Sequence, residues 1–334
     1  MYVIPELGMR TDRPGPELHW GRLNFDHRVP RESVHKAAEA EVFLTDAERL
    51  GDERFAVAAA WRRDHYLGHE DGPAADPVLL AETARQAAIH LSHRFLDVPH
   101  RMPFVLSTLT VDLNGALPPL GPRHLALGLD VVCRPPAEGA RRLRLELRAD
   151  VLVQHRRAGR VRVHWEPMEP RRYALLRRRV ERGPEAREPR PAQAPARVPL
   201  PPARVGRLTE RDVLIETDPL RANGWWLRLD QEHPVLFDHE SDHVPGMALV
   251  EAFRQASQVA VADGEPGAGA LTLLDVRFTA FGELNAPVAI TAEPAERGGS
   301  SFTVHAHQGG RELARATVRR GMAEPALTRL GTAC

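Results

Sequence analysis

The alternation of apolar and polar residues predicts a chain made mostly of strands, with two long helices among them. Helical periodicity marks residues 78–95 and 247–262, and each stretch follows short strand-like segments and precedes longer ones. One helix wrapped by an antiparallel sheet is an α+β arrangement, which argues against the βαβ alternation of a doubly wound fold. The predicted strand segments are 34–44, 54–62, 104–113, 124–133, 141–154, 160–166, 213–217, 225–230, 271–281, 286–294, 301–308 and 312–320.

A motif that occurs twice divides the chain. Residues 76–87 read DPVLLAETARQA, and residues 245–256 read PGMALVEAFRQA. A repeat over so long a spacing predicts two similar domains that face each other. The recurring pairs are Pro77 and Pro245, Glu82 and Glu251, Arg85 and Arg254, Gln86 and Gln255, and Ala87 and Ala256.

Shifts in composition set the predicted domain boundaries. Residues 1–28 are polar and aperiodic, so we expect an N-terminal arm, and the first repeat then covers residues 29–170. Residues 171–206 are so rich in proline and arginine that they predict a solvated linker. The second repeat covers residues 207–334.

Bulk composition narrows the class of protein. The 334 residues carry a formal net charge of zero, so we expect no general attraction to nucleic acid or to a membrane surface. No apolar run is long enough to span a bilayer, and the N-terminus lacks the pattern of a signal peptide. Cys133 and Cys334 are the only cysteines, which indicates a reducing cytoplasm and no structural disulfide.

The two predicted helices carry ionic residues in an apolar setting. Glu251 and Arg254 lie three residues apart in a largely apolar helix, and Glu82 and Arg85 repeat this spacing in the first copy. Buried ionic groups are costly unless they are paired or functional. An intrahelical ion pair is the structural alternative, but the recurrence of Glu-x-x-Arg-Gln-Ala in both copies favours a functional site.

The loop before the second helix contains letters that resemble a metal site. His239, Glu240 and His243 match the His-Glu-x-x-His pattern of zinc proteases. That chemistry needs both histidines on one continuous helix, and Pro245 followed by Gly246 places them in a loop instead. We therefore expect neither a metal nor a cofactor.

The same loop and helix resemble the hotdog-fold 3-hydroxyacyl-carrier-protein dehydratases. In that family a Gly-His loop leads through Pro-Gly into a helix with an acidic residue and a glutamine. His239 matches the loop histidine and Glu251 matches the helix acid, whereas Asp238 stands where glycine is usual. That departure and the shorter loop weigh against dehydration.

The chain as a whole resembles the A-factor biosynthesis family, whose members carry two hotdog repeats. The resemblance implies a tandem hotdog fold of the α+β class and a part in γ-butyrolactone signalling in actinomycetes. It further implies transfer of a β-ketoacyl group from an acyl carrier protein to the hydroxyl of dihydroxyacetone phosphate. The resulting ester then closes to a butenolide phosphate. The segments that carry the resemblance are 34–46, 76–93, 233–247, 251–256 and 281–287.

This chemistry gives roles to the repeated residues. An alcohol acceptor needs a base, a thioester oxyanion needs hydrogen-bond donors, and a phosphate needs a cation. Glu251 is the expected base if burial raises its pKa, and Arg254 is the expected phosphate ligand. The backbone N–H groups of Gly246 and Met247 are the expected oxyanion donors, because they open a helix.

The dehydratase resemblance also implies composite sites. In those enzymes the site lies between two protomers, so the two repeats here should pair as an internal pseudo-dimer. One site would join His239 to Glu82 and Arg85, and the other would join Glu251 and Arg254 to the loop of the first repeat. We favour the second site, because the second repeat keeps Pro-Gly before its helix. Whether the chain also forms a homodimer stays open.

Two other classes of function stay open at this point. A hotdog dehydratase or thioesterase would act on carrier-bound acyl chains without requiring a phosphorylated acceptor. A non-catalytic module would bind an acyl chain or a lactone without turning over a thioester. The sequence does not define the length or branching of the acyl chain.

Overall fold

The computed structural model describes residues 22–68, 74–120, 124–134, 142–181, 197–218, 224–262, 269–295 and 300–321. In the first half, helix α1 spans Pro77–Phe95. The strands of this half are β1 (Leu44–Arg49), β2 (Arg54–Trp61), β3 (Phe104–Leu113), β4 (Leu125–Arg134), β5 (Leu145–Val153) and β6 (Arg156–Pro167).

A second helix, α2 (Pro170–Glu181), follows the first half, and α3 (Gly246–Ala262) is the long helix of the second half. The remaining strands are β7 (Ile215–Thr217), β8 (Gly224–Leu227), β9 (Leu271–Phe278), β10 (Ala289–Pro294), β11 (Ser301–Gln308) and β12 (Arg311–Arg320).

The twelve strands of the described residues form one antiparallel sheet. Its order is β1-β2-β4-β5-β6-β3-β9-β12-β11-β10-β8-β7, so the second half mirrors the first strand for strand. The halves join through β3 and β9, where Thr108 lies opposite Arg277 and Val111 opposite Leu274. Because each half wraps one long helix, the prediction of a tandem hotdog fold of the α+β class is confirmed.

The two long helices begin and lie as their sequences predict. The Asp76 carboxylate accepts a hydrogen bond from the Val78 N–H and caps α1, and Pro77 occupies the first turn, where no N–H donor is required. Apolar residues from α1, α3 and both halves of the sheet belong to one continuous hydrophobic core. A helix buried on nearly all sides must pair every polar group that it carries.

The segment before β1 departs from the predicted strand. Residues 34–44 were expected to be extended, but 3-10 turns occupy Arg31–Val34 and Glu39–Glu41. The reason is the side chain of Gln86 on α1, which accepts from the Phe43 N–H at 2.9 Å and donates to the Glu41 carbonyl at 2.7 Å. Backbone groups that a neighbouring strand would bind are held by the helix instead.

The second half repeats this device. Gln255 accepts from the Leu214 N–H at 2.8 Å and donates to the Asp212 carbonyl at 2.7 Å. The repeated glutamine therefore ties the segment that leads into each half to the long helix of that half.

The predicted linker is structured at both of its described ends. Residues 170–181 form α2, on which Arg177 is buried because it pairs with Asp242 and Glu283. At the other end, Pro202–Val205 form a 3-10 turn that corresponds to the turn at Arg31–Val34 in the first half. The prediction of a solvated linker was therefore wrong at both described ends. Arginine richness misled it, because Arg177 is neutralised by carboxylates that are distant in sequence. Residues 182–196 lie outside the described residues, and the domain boundaries stay a prediction.

We predict that Gln255→Ala destabilises the protein by about 2–4 kcal/mol, because two buried backbone groups lose their partners. Urea unfolding of the variant and of wild type measures the difference. Gln231→Ala, an exposed glutamine in the loop before α3, is the control and should stay within about 0.5 kcal/mol. Equal midpoints for Gln255→Ala and wild type would contradict the anchoring role.

Candidate active site

A cavity of about 1010 Å³ lies between the two halves. One end is polar and combines Lys36, Tyr66, Glu82 and Arg85 of the first half with Asp238 and His239 of the second. Apolar side chains line much of the remainder, among them Phe104, Leu106, Met168, Leu236, Leu249 and Phe278, and charged residues such as Arg144, Glu166 and Arg172 lie among them. The shape and lining suit a ligand with one charged end and one hydrocarbon end.

At the polar end, Glu82 is a buried carboxylate surrounded by donors. Arg85 binds it in a bidentate manner, with Nε 2.7 Å from Oε2 and Nη2 2.8 Å from Oε1. Gln86 donates to Oε1 at 2.9 Å, and Lys36 Nζ lies 3.2 Å from the same oxygen. Burial alone would raise the pKa of Glu82, but Arg85 and Lys36 outweigh it and hold the pKa well below its ordinary value.

The lowered pKa keeps Glu82 an anion at neutral pH and makes it a weak proton acceptor. Its carboxylate fixes the two cations in place, and the charge of Glu82 raises the pKa of Arg85 against the effect of burial. The expected catalytic role of Glu82 is thus changed by its surroundings: Glu82 holds and orients Arg85 and Lys36.

The equivalent cluster in the second half is closed. Glu251 Oε1 accepts from Arg254 at 2.9 Å, from Gln255 at 2.7 Å and from Arg207 at 2.9 Å. Arg207 also donates to Asp76 at 2.9 Å, and the side chains of Arg207 and Glu251 are both 0% exposed. The guanidinium thus occupies the space between helix α3 and the start of α1.

The open site is therefore the one that we did not favour from the sequence. The cavity reaches Glu82 and Arg85, whereas neither Glu251 nor Arg254 is among its lining residues. The repeat explains the difference in part, because Lys36 stands where the second half has Arg207. A lysine lacks the forked head with which Arg207 bridges two carboxylates.

The open site is lined by residues of both repeats. His239 comes from the loop of the second half and lines the same cavity as Glu82 and Arg85. Asp238, the residue that departs from the dehydratase pattern, accepts from the Ala37 N–H at 3.1 Å and lies 3.9 Å from Lys36 Nζ. An aspartate at this position therefore anchors the second loop to the first half.

His239 and the start of α3 lie where an acyl group can reach them. The His239 side chain is 54% exposed, and its Nδ1 lies 2.6 Å from Asp238 Oδ1. Gly246 and Met247 open α3 and line the cavity. N–H groups in the first turn of a helix have no intrahelical acceptor, so the oxyanion role predicted for these two residues stays available.

The sequence reasoning missed three residues of the polar end of the cavity, His35, Lys36 and Tyr66. A signal for two of them was present in the chain. Extending the repeat towards the N-terminus aligns His35 and Lys36 with Gly206 and Arg207, since each pair follows an equivalent 3-10 turn. The change of residue type at both positions marks where the two halves differ in chemistry.

The histidines of the loop pair with separate carboxylates. His239 contacts Asp238, while His243 Nδ1 lies 2.7 Å from Asp242 Oδ1, and α3 begins only at Gly246. Within the described ranges, one group of metal-ligand side chains comes together elsewhere, on β11 and β12, and consists of His305, His307 and Glu312. The absence of a metal from the site stays a prediction.

Two paired hotdog units with a ligand cavity between them define a tandem hotdog protein. The family model of the A-factor biosynthesis hotdog domain (AfsA) matches residues 22–169 and 188–323. The chain therefore belongs to the A-factor biosynthesis hotdog family.

Among the described residues, no helix combines the length and apolar character that a bilayer crossing requires.

Relatives in Streptomyces carry one common name, 2-oxo-3-(phosphooxy)propyl 3-oxoalkanoate synthase. The protein from Streptomyces virginiae is 37% identical over 288 residues, which cover 84% of this chain and 93% of the relative. The protein from Streptomyces coelicolor is 31% identical over 294 residues, with 84% of this chain and 88% of the relative covered.

Solved structures with a similar course of the chain include two carrier-protein thioesterases. The acyl-ACP thioesterase from Bacteroides thetaiotaomicron is 13% identical, with a TM-score of 0.48, and covers 80% of this chain and 98% of its own. The 12:0-ACP thioesterase from Umbellularia californica is 12% identical, with a TM-score of 0.45. The match covers 81% of this chain and 98% of that enzyme.

We predict that Glu251→Gln acts mainly on stability. The change should destabilise the fold by about 3–5 kcal/mol, because the buried guanidinium groups of Arg207 and Arg254 lose their shared counter-charge. Unfolding in guanidinium chloride measures this loss, with Glu293→Gln on the exposed end of β10 as the control. Protein that stays folded should turn over substrate at the wild-type rate. Full stability with lost turnover would return the role of base to Glu251.

Proposed function

We propose that this chain transfers a β-ketoacyl group from an acyl carrier protein to the hydroxyl of dihydroxyacetone phosphate. The ester product would then close to a butenolide phosphate. Family membership and the name shared by the Streptomyces relatives support the reaction. The single structural observation that carries the proposal is the cavity, which joins a polar end containing Arg85 and Lys36 to a group of apolar side chains.

The apolar end suits the acyl chain. Phe104 and Leu106 from β3 face the same cavity as Leu249 from α3 and Phe278 from β9. Burial of hydrocarbon against these side chains contributes about 0.8 kcal/mol per methylene group, so chain length should govern affinity. A carrier-bound thioester would enter past the exposed His239 and place its carbonyl near the start of α3.

The two cationic side chains of the polar end suit the phosphate. Arg85 uses Nε and Nη2 to bind Glu82, and its Nη1 has no hydrogen-bond partner among the residues that the structure describes. That nitrogen and the ammonium of Lys36 are the groups that would bind the phosphate oxygens. The phosphate role therefore passes from Arg254 to Arg85.

Arg254 lacks the capacity for this role. Its Nε binds Glu251, its Nη1 donates to Gln258 at 2.8 Å, and its Nη2 donates to the Val205 carbonyl at 2.6 Å. Every nitrogen of the guanidinium is therefore already used by the protein. Phosphate binding at Arg254 would require the buried network to break.

Donors for the thioester oxyanion come from two sources. The N–H groups of Gly246 and Met247 point out of the start of α3, where the helix dipole favours negative charge. Tyr66 also lines the cavity, and burial together with the charge of Glu82 raises the pKa of its phenol well above the ordinary value. The phenol therefore stays protonated and remains a hydrogen-bond donor.

The partner and the assembly form part of the proposal. The thioester donor would be an acyl carrier protein in the cytoplasm, with no metal or other cofactor taking part. The pairing of β3 with β9 supports an internal pseudo-dimer in one chain. Association of two chains into a homodimer stays a prediction, which a measurement of the molecular mass in solution would test.

The direct test is incubation of the chain with β-ketoacyl carrier protein and dihydroxyacetone phosphate, followed by mass spectrometry. We expect the phosphorylated keto ester and its butenolide, and no ester from unphosphorylated dihydroxyacetone at equal concentration. Release of free keto acid irrespective of acceptor would indicate a thioesterase. Dehydration of a 3-hydroxyacyl carrier protein would indicate a dehydratase. A thioester that binds but is not converted would indicate a non-catalytic module.

We predict that Arg85→Lys raises KM for dihydroxyacetone phosphate by about 10- to 100-fold, because one charge-assisted hydrogen bond contributes about 1.5–3 kcal/mol. KM for the acyl carrier protein should stay unchanged. Steady-state kinetics with each substrate varied in turn measure both constants. The matched variant Arg254→Lys should leave both KM values unchanged, and an equal rise in both for Arg85→Lys would contradict the phosphate role.

A further inference from the structure

His35 lines the cavity but has none of the roles in the acyl transfer that are assigned above. It precedes Lys36, lines the polar end, and meets the ring of Phe104 edge-on with 5.0 Å between ring centroids. Arg85 and His239 line the same cavity, so His35 shares the composite site with both. Its position is therefore next to the groups that would hold the acceptor.

A chain of hydrogen bonds defines the tautomer of His35. His93 Nδ1 lies 2.7 Å from the Val98 carbonyl oxygen, which can only accept, so Nδ1 of His93 carries the proton. Burial lowers the pKa of His93, so this ring is neutral and its Nε2 is an acceptor. His93 Nε2 lies 2.9 Å from His35 Nε2, which must then donate.

It follows that Nδ1 of His35 carries a lone pair. Burial, with the positive charge of Arg85, lowers the pKa of His35 to about 3, so the ring is neutral. In the part of the chain that the structure describes, this Nδ1 has no hydrogen-bond partner. A neutral imidazole with one nitrogen donating to a fixed acceptor and the other unpaired is the arrangement of a general base.

The backbone gives an independent reason to assign a function to this residue. His35 has φ 54° and ψ 52°, in the left-handed region that side chains other than glycine seldom adopt. The equivalent residue of the closed half is Gly206, with φ 63°, where an added Cβ would lie 2.9 Å from Gln258 Nε2. Glycine satisfies the fold, so the fold alone does not explain a histidine in the open half.

The other acidic and basic groups of the site are less suited to the role. Glu82 is held as an anion by four donors, and its pKa lies well below the ordinary value. His239 lies at the exposed rim with its Nδ1 against Asp238, which places it on the side where the carrier thioester would enter. His243 also lines the cavity, but its Nδ1 is bound to Asp242. His35 is the neutral imidazole of the polar end.

We propose that His35 is the general base of the acyl transfer and that His93 is the positioning residue that fixes its tautomer. This inference rests on the proposed function. Nδ1 of His35 takes the proton of the acceptor hydroxyl as its oxygen forms a bond to the thioester carbonyl carbon. The carbon–sulfur bond then breaks, and the leaving thiolate receives the proton from the His35 imidazolium, so the base is regenerated.

The first test replaces the imidazole without straining the backbone. His35→Gly should lower kcat by about 100- to 10,000-fold, leave both KM values within about threefold and keep the midpoint of unfolding at or above that of wild type. Added imidazole should restore part of the rate. The matched control is His155→Gly, since His155 has φ 63° in the exposed β5–β6 turn and should keep full activity.

The second test does not depend on turnover. In protein with ¹⁵N-labelled histidines, His35 should show a protonated Nε2 and an unprotonated Nδ1 at neutral pH, and dihydroxyacetone phosphate should shift the Nδ1 resonance. His93→Phe should abolish the tautomer preference and lower kcat with little change in KM.

The outcomes separate the two proposals. A wild-type chain that forms no ester would overturn the proposed function, whereas wild-type activity with a His35→Gly rate within tenfold would overturn the role of His35. A proton found on Nδ1 of His35 would also overturn that role, whichever reaction the chain catalyses. Loss of rate in His35→Gly with rescue by imidazole would support it.

Discussion

The structure depends on one interaction that occurs twice, the neutralisation of a buried glutamate in the second turn of each long helix. Glu82 and Glu251 are both fully buried, and each is bound by the arginine three residues and the glutamine four residues further along its helix. A carboxylate removed from water needs such partners, because an unpaired buried charge is far more costly than the pair. Each glutamine then uses its remaining capacity to hold the segment that leads into the sheet.

Duplication of this cluster allowed the two halves to diverge. In the second half Arg207 spans from Glu251 to Asp76, so the carboxylates of both halves share one guanidinium and the site is filled. In the first half the shorter Lys36 neutralises Glu82 while Asp238 approaches from the other side. One copy of the site thus ties the halves together, and the other leaves room for a ligand.

The sequence predicted the architecture, but it did not predict which of the two sites is open. Helical periodicity and the repeated Glu-x-x-Arg-Gln-Ala motif are local signals, and α1 and α3 lie where those signals place them. The closure of the second site depends on the contact of Arg207 with Asp76, which are 131 residues apart. No pattern within a short window reports such a contact. The same limit explains α2, where partners distant in sequence neutralise an arginine that composition alone would leave in solvent.

The charge at the polar end gives the proposed base a dependence on the acceptor. Burial and nearby positive charge keep the imidazole of His35 neutral and weakly basic, so it is a poor activator of water. A phosphate dianion bound to Arg85 and Lys36 would offset those positive charges and stabilise the imidazolium that forms when the hydroxyl loses its proton. The base would therefore become effective only when the phosphorylated acceptor is present. Such coupling would protect a carrier-bound thioester from hydrolysis, and it gives a physical reason why a cavity of this fold would favour transfer to an alcohol over release of the free acid.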